Sequence, residues 1–176
     1  DIILGDSKFK NIVAHFGPES GPLIVVGAHY DSFGDTYSGA RFPRGYTSLT
    51  HTPGADDNAS GVAGLLELAH LIGQEPSARS IDLVAYTLEE PPHFRTEQMG
   101  SVWHARSLRA AKREVSLMLS LEMIGYFSDE PGSQAYPLPA MAHLYSERGD
   151  FVALVGKLSN FGATRRAKAL MAGATD

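Results

Sequence analysis

Apolar residues in this chain fall in short, nearly unbroken runs separated by stretches of helical period. PLIVVGAHY at 22–30, SIDLVAYTL at 80–88 and SLMLSLEMI at 116–124 are rich in aliphatic and β-branched residues. That is the pattern of strands covered on both faces. KNIVAHF at 10–16 reads as a shorter strand, and GPESGP at 17–22 supplies a turn. From Asn58 to Gln74, Val62, Leu65, Leu66, Ala69 and Ile72 recur at helical spacing, with Gly73 near the stop. Residues 99–113 predict a second helix with Val102, Ala105 and Leu108 on one face. Its end, RAAKR, places positive charge at the negative end of the helix dipole. PAMAHLY at 139–145 and FVALVG at 151–156 are further strand candidates, and the C-terminal stretch reads as a basic helix.

Residues 31–57 are rich in Gly, Ser, Thr, Asp and Pro and predict a long surface loop, a length more often found where loops are functional. Strands alternating with helices predict an α/β fold. The expected architecture is a three-layer sandwich with a mixed, mostly parallel central sheet flanked by helices. No repeat, low-complexity tract or linker divides residues 1–176, so the chain is read as one domain.

Composition narrows the chemistry. Fifteen basic against 20 acidic residues give a net charge of −5, which argues against a basic nucleic-acid surface. With no cysteine there is neither a disulfide framework nor a thiolate ligand or nucleophile. No run reaches the ~18 apolar residues of a membrane span. The opening DIILGDSKFK shows no leader pattern, and a trimmed chain is expected. A metal site here is built from His, Asp and Glu.

In α/β folds ligand groups gather beyond the strand tips. His29-x-Asp31, Glu89-Glu90 and Glu122 fall at such tips, and Asp56-Asp57 closes the long loop before the first helix. Side chains two apart on a strand point the same way, so the Asp31 carboxylate is expected to hold the His29 imidazole. Each feature has a plainer reading. His-x-Asp is commonly a satisfied polar pair, and Asp-Asp before a helix is commonly an N-cap, as Asn58 or Ser60 would also be. Adjacent glutamates after a strand are commonly solvated. Glu122, inside the apolar run SLMLSLEMIGY, calls for a partner or a metal.

Taken in order, GAHYDS (27–32), PGADDNASG (53–61), LEE (88–90), GS (100–101) and LEMIGY (121–126) resemble the zinc-dependent aminopeptidases of metallopeptidase family twenty-eight. PGADDNASG is the most specific piece, and the resemblance runs from about Ile12 to Phe127. It implies a two-zinc site. His29 and Glu122 would bind one zinc, Glu90 the other, and Asp57 would bridge them. Glu89 would be the general base and Asp31 the group orienting His29, with Asp56 capping or supporting. The family's last ligand, a distant C-terminal histidine, has no matching segment in this chain. His93, then His51, are the substitutes considered. His15 and His143 lie in strand-like runs, and His70 and His104 on predicted helices.

The implied substrate is a peptide with a free N-terminus, without nucleic-acid or membrane partners. A secreted or periplasmic bacterial setting and self-association through an exposed sheet edge are further expectations. Two alternatives stay open: a single-zinc acyltransferase of the glutaminyl cyclase type, and a truncated scaffold that binds metal weakly.

Overall fold

The computed structural model describes residues 1–33, 53–136 and 138–174. Most of the predicted loop, including His51, lies outside the described residues. The chain groups into two units, Asp1–Gly125 and Tyr126–Asp176.

The first unit opens with a hairpin of β1 (Ile2–Leu4) and β2 (Ser7–Phe9), turned at Gly5 with φ 58°. Three-residue strands are too short to print a period-two pattern. A four-stranded sheet follows, built from β3 (Ile12–Phe16), β4 (Leu23–His29), β5 (Ser80–Tyr86) and β6 (Val115–Ser120) in the order β3-β5-β4-β6. β4 is parallel to both neighbours, and β3 is antiparallel to β5. Helix α1 (Gly61–Ile72) covers one face and α2 (Gly100–Ala110) the other, giving the expected three layers and mixed, mostly parallel sheet.

Alternation along the central strands divides the core in two. Val26, Ala28 and Leu83 meet Leu65, Val62 and Ala69 of α1, while Leu23, Val25, Val84 and Tyr86 meet Leu108 of α2. The predicted face of α1 needs one correction. Leu65 is buried at 6% exposure, but Leu66, one residue on and about 100° around the helix, is 67% exposed.

β6 also departs from expectation. It forms a strand, but each of its residues is exposed, and its outer edge pairs with no strand among the described residues. Val115 and Met118 share a cavity with Ser101, His104, Ala105 and Leu108 of α2, so that helix stands over the strand without closing on it. An apolar run therefore identified the strand without identifying its cover. The ladder stops at Ser120, so Glu122 lies beyond the strand and not within it.

The second unit carries helix α3 (Phe161–Ala172), which includes Arg165, Arg166 and Lys168 and matches the predicted basic helix. The two strand candidates there do not form strands. Pro139–His143 is a short 3₁₀ turn opened by its proline, which has no N–H to give a ladder. Residues 151–156 have no strand beside them among the described residues and stay irregular, with Val155 95% exposed. The one described pairing is an isolated antiparallel bridge between Ser128 and Gly149. No described helix is long and apolar enough to cross a membrane.

On the α2 face, Asp82 is buried at the centre of the sheet and meets His15 of β3, with Nδ1 to Oδ1 at 2.7 Å. This bond raises the His15 pKa against a smaller opposing effect of burial.

Two outcomes follow from this packing. Leu65→Ala is expected to cost about 2–5 kcal/mol and Leu66→Ala under about 0.5 kcal/mol, read from urea midpoints. The His15–Asp82 pair binds a proton more tightly folded than unfolded. Its contribution is therefore complete below the unfolded histidine value near 6.5 and fades as pH rises through the raised folded value. Denaturation at pH 6 and pH 8.5 should show a smaller pH-dependent loss in His15→Asn than in the parent chain.

Candidate metal centre

Because β4 runs parallel to β5 on one side and β6 on the other, three strand ends open on the same edge of the sheet. His29 is the last residue of β4, level with Tyr86 at the end of β5. Two residues later Leu88 adopts φ 60°, bending the chain so that Glu89 and Glu90 stand over that edge. Glu122 follows the end of β6, and the turn holding Asp57 leads into α1.

The meeting point is Nε2 of His29. Asp57 Oδ1 lies 3.0 Å from it, Glu122 Oε1 3.4 Å and Glu89 Oε2 3.8 Å. The imidazole is buried at 3% exposure, whereas the Asp57 and Glu122 side chains are 46% and 47% exposed. Glu122 is thus only partly buried, although burial remains the largest cause raising its pKa. It leans from the rim toward the buried ring. Ligand-capable atoms cluster within 4.8 Å in two groups, His29–Asp57–Glu122 and His29–Glu89–Glu90.

The other ring nitrogen settles the tautomer. His29 Nδ1 lies 3.0 Å from the main-chain oxygen of Asp31 and 3.6 Å from its Oδ1. A carbonyl can only accept, so Nδ1 carries the proton. In the neutral ring the Nε2 lone pair then faces carboxylate oxygens. Such an arrangement needs a proton or a metal cation between the groups.

The charge states respond accordingly. Burial alone would lower the His29 pKa, but Asp31, Glu122 and Glu89 outweigh it and raise it to about 10. Burial, then Asp57 and Glu89, raise Glu90 to about 7. Burial is also the main cause that lifts Glu89 and Glu122, with neighbouring carboxylates adding to it and His29 opposing. Asp31 moves the other way. Burial resists its ionisation, but His29 and the N–H groups of Glu90 and Glu89 hold it below the usual carboxylate value.

Those N–H bonds give Asp31 a second task. Glu89 N–H donates to Asp31 Oδ1 at 3.2 Å and Glu90 N–H to Oδ2 at 3.1 Å. The carboxylate pins the turn carrying both glutamates, while its own backbone carbonyl makes the shorter contact with the imidazole. Asn11 supports the same tip, accepting from Thr87 N–H at 3.2 Å and donating to Gly100 O at 2.8 Å. Gly100 permits this approach, since a Cβ there would lie 2.2 Å from Asn11 Oδ1. Neither Asn11 nor this use of Gly100 is visible in a sequence pattern, because both act on main-chain groups distant in sequence.

His93 and His104 stay apart from the cluster. His93 Nδ1 meets Gln98 Oε1 at 2.7 Å and belongs to neither ligand group; His104 Nδ1 pairs with the Tyr86 hydroxyl at 2.9 Å. Beside the acids lies a cavity of about 180 Å³, lined by Tyr86, Met99 and Met118 as well as by His29, Glu89 and Glu122. It can take an apolar side chain next to the charged cluster.

The chain is 52% identical over 176 residues to the uncharacterized protein YfbL of Escherichia coli K12, covering all of this chain and 51% of YfbL. It is 29% identical over 144 residues to a probable zinc metalloprotease of Pyricularia oryzae, covering 81% of this chain and 26% of that protein. Aminopeptidase YwaD of Bacillus subtilis is 29% identical over 134 residues, which are 76% of this chain and 24% of YwaD. The chain thus spans about half the length of YfbL and about a quarter of the other two. The crystal structure of LapB from Legionella pneumophila superimposes with a TM-score of 0.50 and 26% identity, over 66% of this chain and 27% of LapB. Residues 11–153 match the pattern of Peptidase family M28, and the chain belongs to that family.

Proposed function

We propose that this chain carries the working site of a zinc-dependent aminopeptidase. The carrying observation is the convergence of Asp57, Glu122 and Glu89 on the single lone-pair nitrogen of a buried imidazole. One nitrogen and several carboxylate oxygens form a donor set that zinc accepts, and their crowded negative charge favours a dication. His29, Asp57 and Glu122 would hold one ion. Glu90 would hold a second, with Asp57 shared between the two. When bound, zinc supplies a Lewis acid for the scissile carbonyl and lowers the pKa of a water.

The chain's own groups do the remaining work. Glu89 is half-buried at the edge of the cluster, and its raised pKa suits a carboxylate that takes a proton and gives it back. It would accept the water proton at a carboxylate oxygen and deliver it to the departing amine. The surrounding carboxylates would attract the cationic amino end of a peptide, which favours cleavage at the N-terminus. The cavity walled by Tyr86, Met99 and Met118 is the space on this unit for an adjoining apolar side chain. Asp31 keeps the His29 proton on Nδ1 through its carbonyl and holds Glu89 and Glu90 through its carboxylate.

Glu89→Gln is expected to leave zinc affinity near that of the parent and reduce turnover of aminoacyl anilides by about 10²–10⁴-fold. Undiminished turnover would remove Glu89 from the base role. Asp31→Ala should weaken zinc binding by roughly 10–100-fold, because it releases two main-chain N–H groups behind the ligands. Calorimetric titration of the metal-stripped protein measures this, and parent-like affinity would mean that Asp31 supports nothing.

A further inference from the structure

The turn between Gly54 and Gly61 sends alternate side chains to different places. Asp57 faces His29, while its neighbours face residues 121–125. Asn58 Oδ1 accepts the N–H of Met123 at 3.2 Å, Ser60 Oγ that of Ile124 at 3.0 Å, and Asp56 Oδ1 that of Gly125 at 2.9 Å. These consecutive N–H groups follow the end of the β6 ladder, so side chains of the turn take the place of a neighbouring strand. Asp56, read from sequence as a cap or support for the site, is part of this socket.

Asn58 does more than its neighbours. Its Nδ2 donates to Leu121 O at 2.9 Å while its Oδ1 receives Met123 N–H, so one amide grips the main chain on both sides of Glu122. Nδ2 also approaches Glu122 Oε2 at 3.4 Å, and Oδ1 receives Gly61 N–H at 3.1 Å, fixing the amide to the start of α1. Asn58 is 1% exposed, the most deeply buried polar side chain described. The chain it grips needs holding, since Met123 sits at φ 47°, a backbone region that residues with side chains disfavour. Gly61 leaves room for the contact. A Cβ there would lie 2.4 Å from Asn58 Oδ1 and 2.7 Å from Leu121 O.

We propose that Asn58 is a positioning residue that sets the Glu122 carboxylate against Asp57, making one ligand pocket from two segments distant in sequence. The Asn58 amide is engaged by main-chain groups and by Glu122, and the proposal rests on the metal-site reading above. Capping alone would need only the bond to Gly61. The bracket around Glu122 is what a cap does not require.

The test uses zinc titration calorimetry and the visible absorption of the cobalt-loaded protein, with melting of the metal-stripped protein as the measure of fold. Asn58→Ala should lose roughly tenfold or more in zinc affinity and shift the cobalt bands, because an outer partner of a ligand is removed. Asn58→Asp keeps the acceptor for Met123 and Gly61, and with it the hold on α1, but replaces the donor to Leu121 O and Glu122 Oε2 by a second carboxylate oxygen, so it should also weaken zinc binding and shift the cobalt bands. If Asn58→Ala does not fold, Asn58→Ser is judged by the same criteria in its place. Parent-like affinity and spectrum in the Ala or Ser variant would overturn this role while leaving the metal site standing. A parent chain that binds neither zinc nor cobalt would overturn both.

Discussion

The structure depends on the two-sided parallel pairing of β4. Its main chain bonds to β5 and β6 in the same direction, so their C-terminal ends share one edge without any loop having to bring them together. Had either neighbour run antiparallel, Glu89 or Glu122 would emerge about a strand length, roughly 20 Å, from His29. β3, the antiparallel member, sits at the far side of β5 and contributes no side chain to either ligand group.

Once the tips coincide, the difficulty becomes electrostatic. Carboxylates gathered around one imidazole repel each other, and partial burial raises the cost of leaving them ionised. Among the described residues, main-chain donors answer part of this cost. Asp31 is satisfied by the N–H groups of Glu89 and Glu90, and Asp56 by that of Gly125. Fixed dipoles hold these supporting acids without neutralising the cluster. The positive demand at Nε2 is therefore preserved for an incoming cation or proton.

Much of this was readable in the residues. The runs around Val25, Val84 and Leu119 marked the three parallel strands, and the recurrence of Val62, Leu65 and Ala69 marked α1. The acids at strand tips follow from the same pattern, and the loop PGADDNASG made the family resemblance specific. Burial was less legible, because an apolar run does not say what covers it. Leu119 and Val84 look alike in sequence, yet one is 39% exposed and the other fully buried. Proline overrode the apolar pattern at Pro139. The supporting shell was the least visible part. Asn11, Asn58 and the carboxylate of Asp31 act on main-chain N–H and C=O groups, which every residue carries and no composition pattern displays.

The exposure of β6 bears on how the sheet breathes. The deepest residues belong to β4 and β5, whereas β6, among the described residues, is bonded on one side and exposed at every position, so it belongs to the part of the unit that opens most readily. His29 stands on the protected strand and Glu122 at the end of the loose one. A cation gripping both would act as a latch, lending the stability of the interior to the edge in proportion to its occupancy. Loss of that latch would free an apolar strand whose outer edge has no strand partner among the described residues, the kind of edge that recruits other chains. On the proposed metal-site reading, the ligand centre would guard solubility as well as chemistry, and metal starvation would register as aggregation before it registered as unfolding.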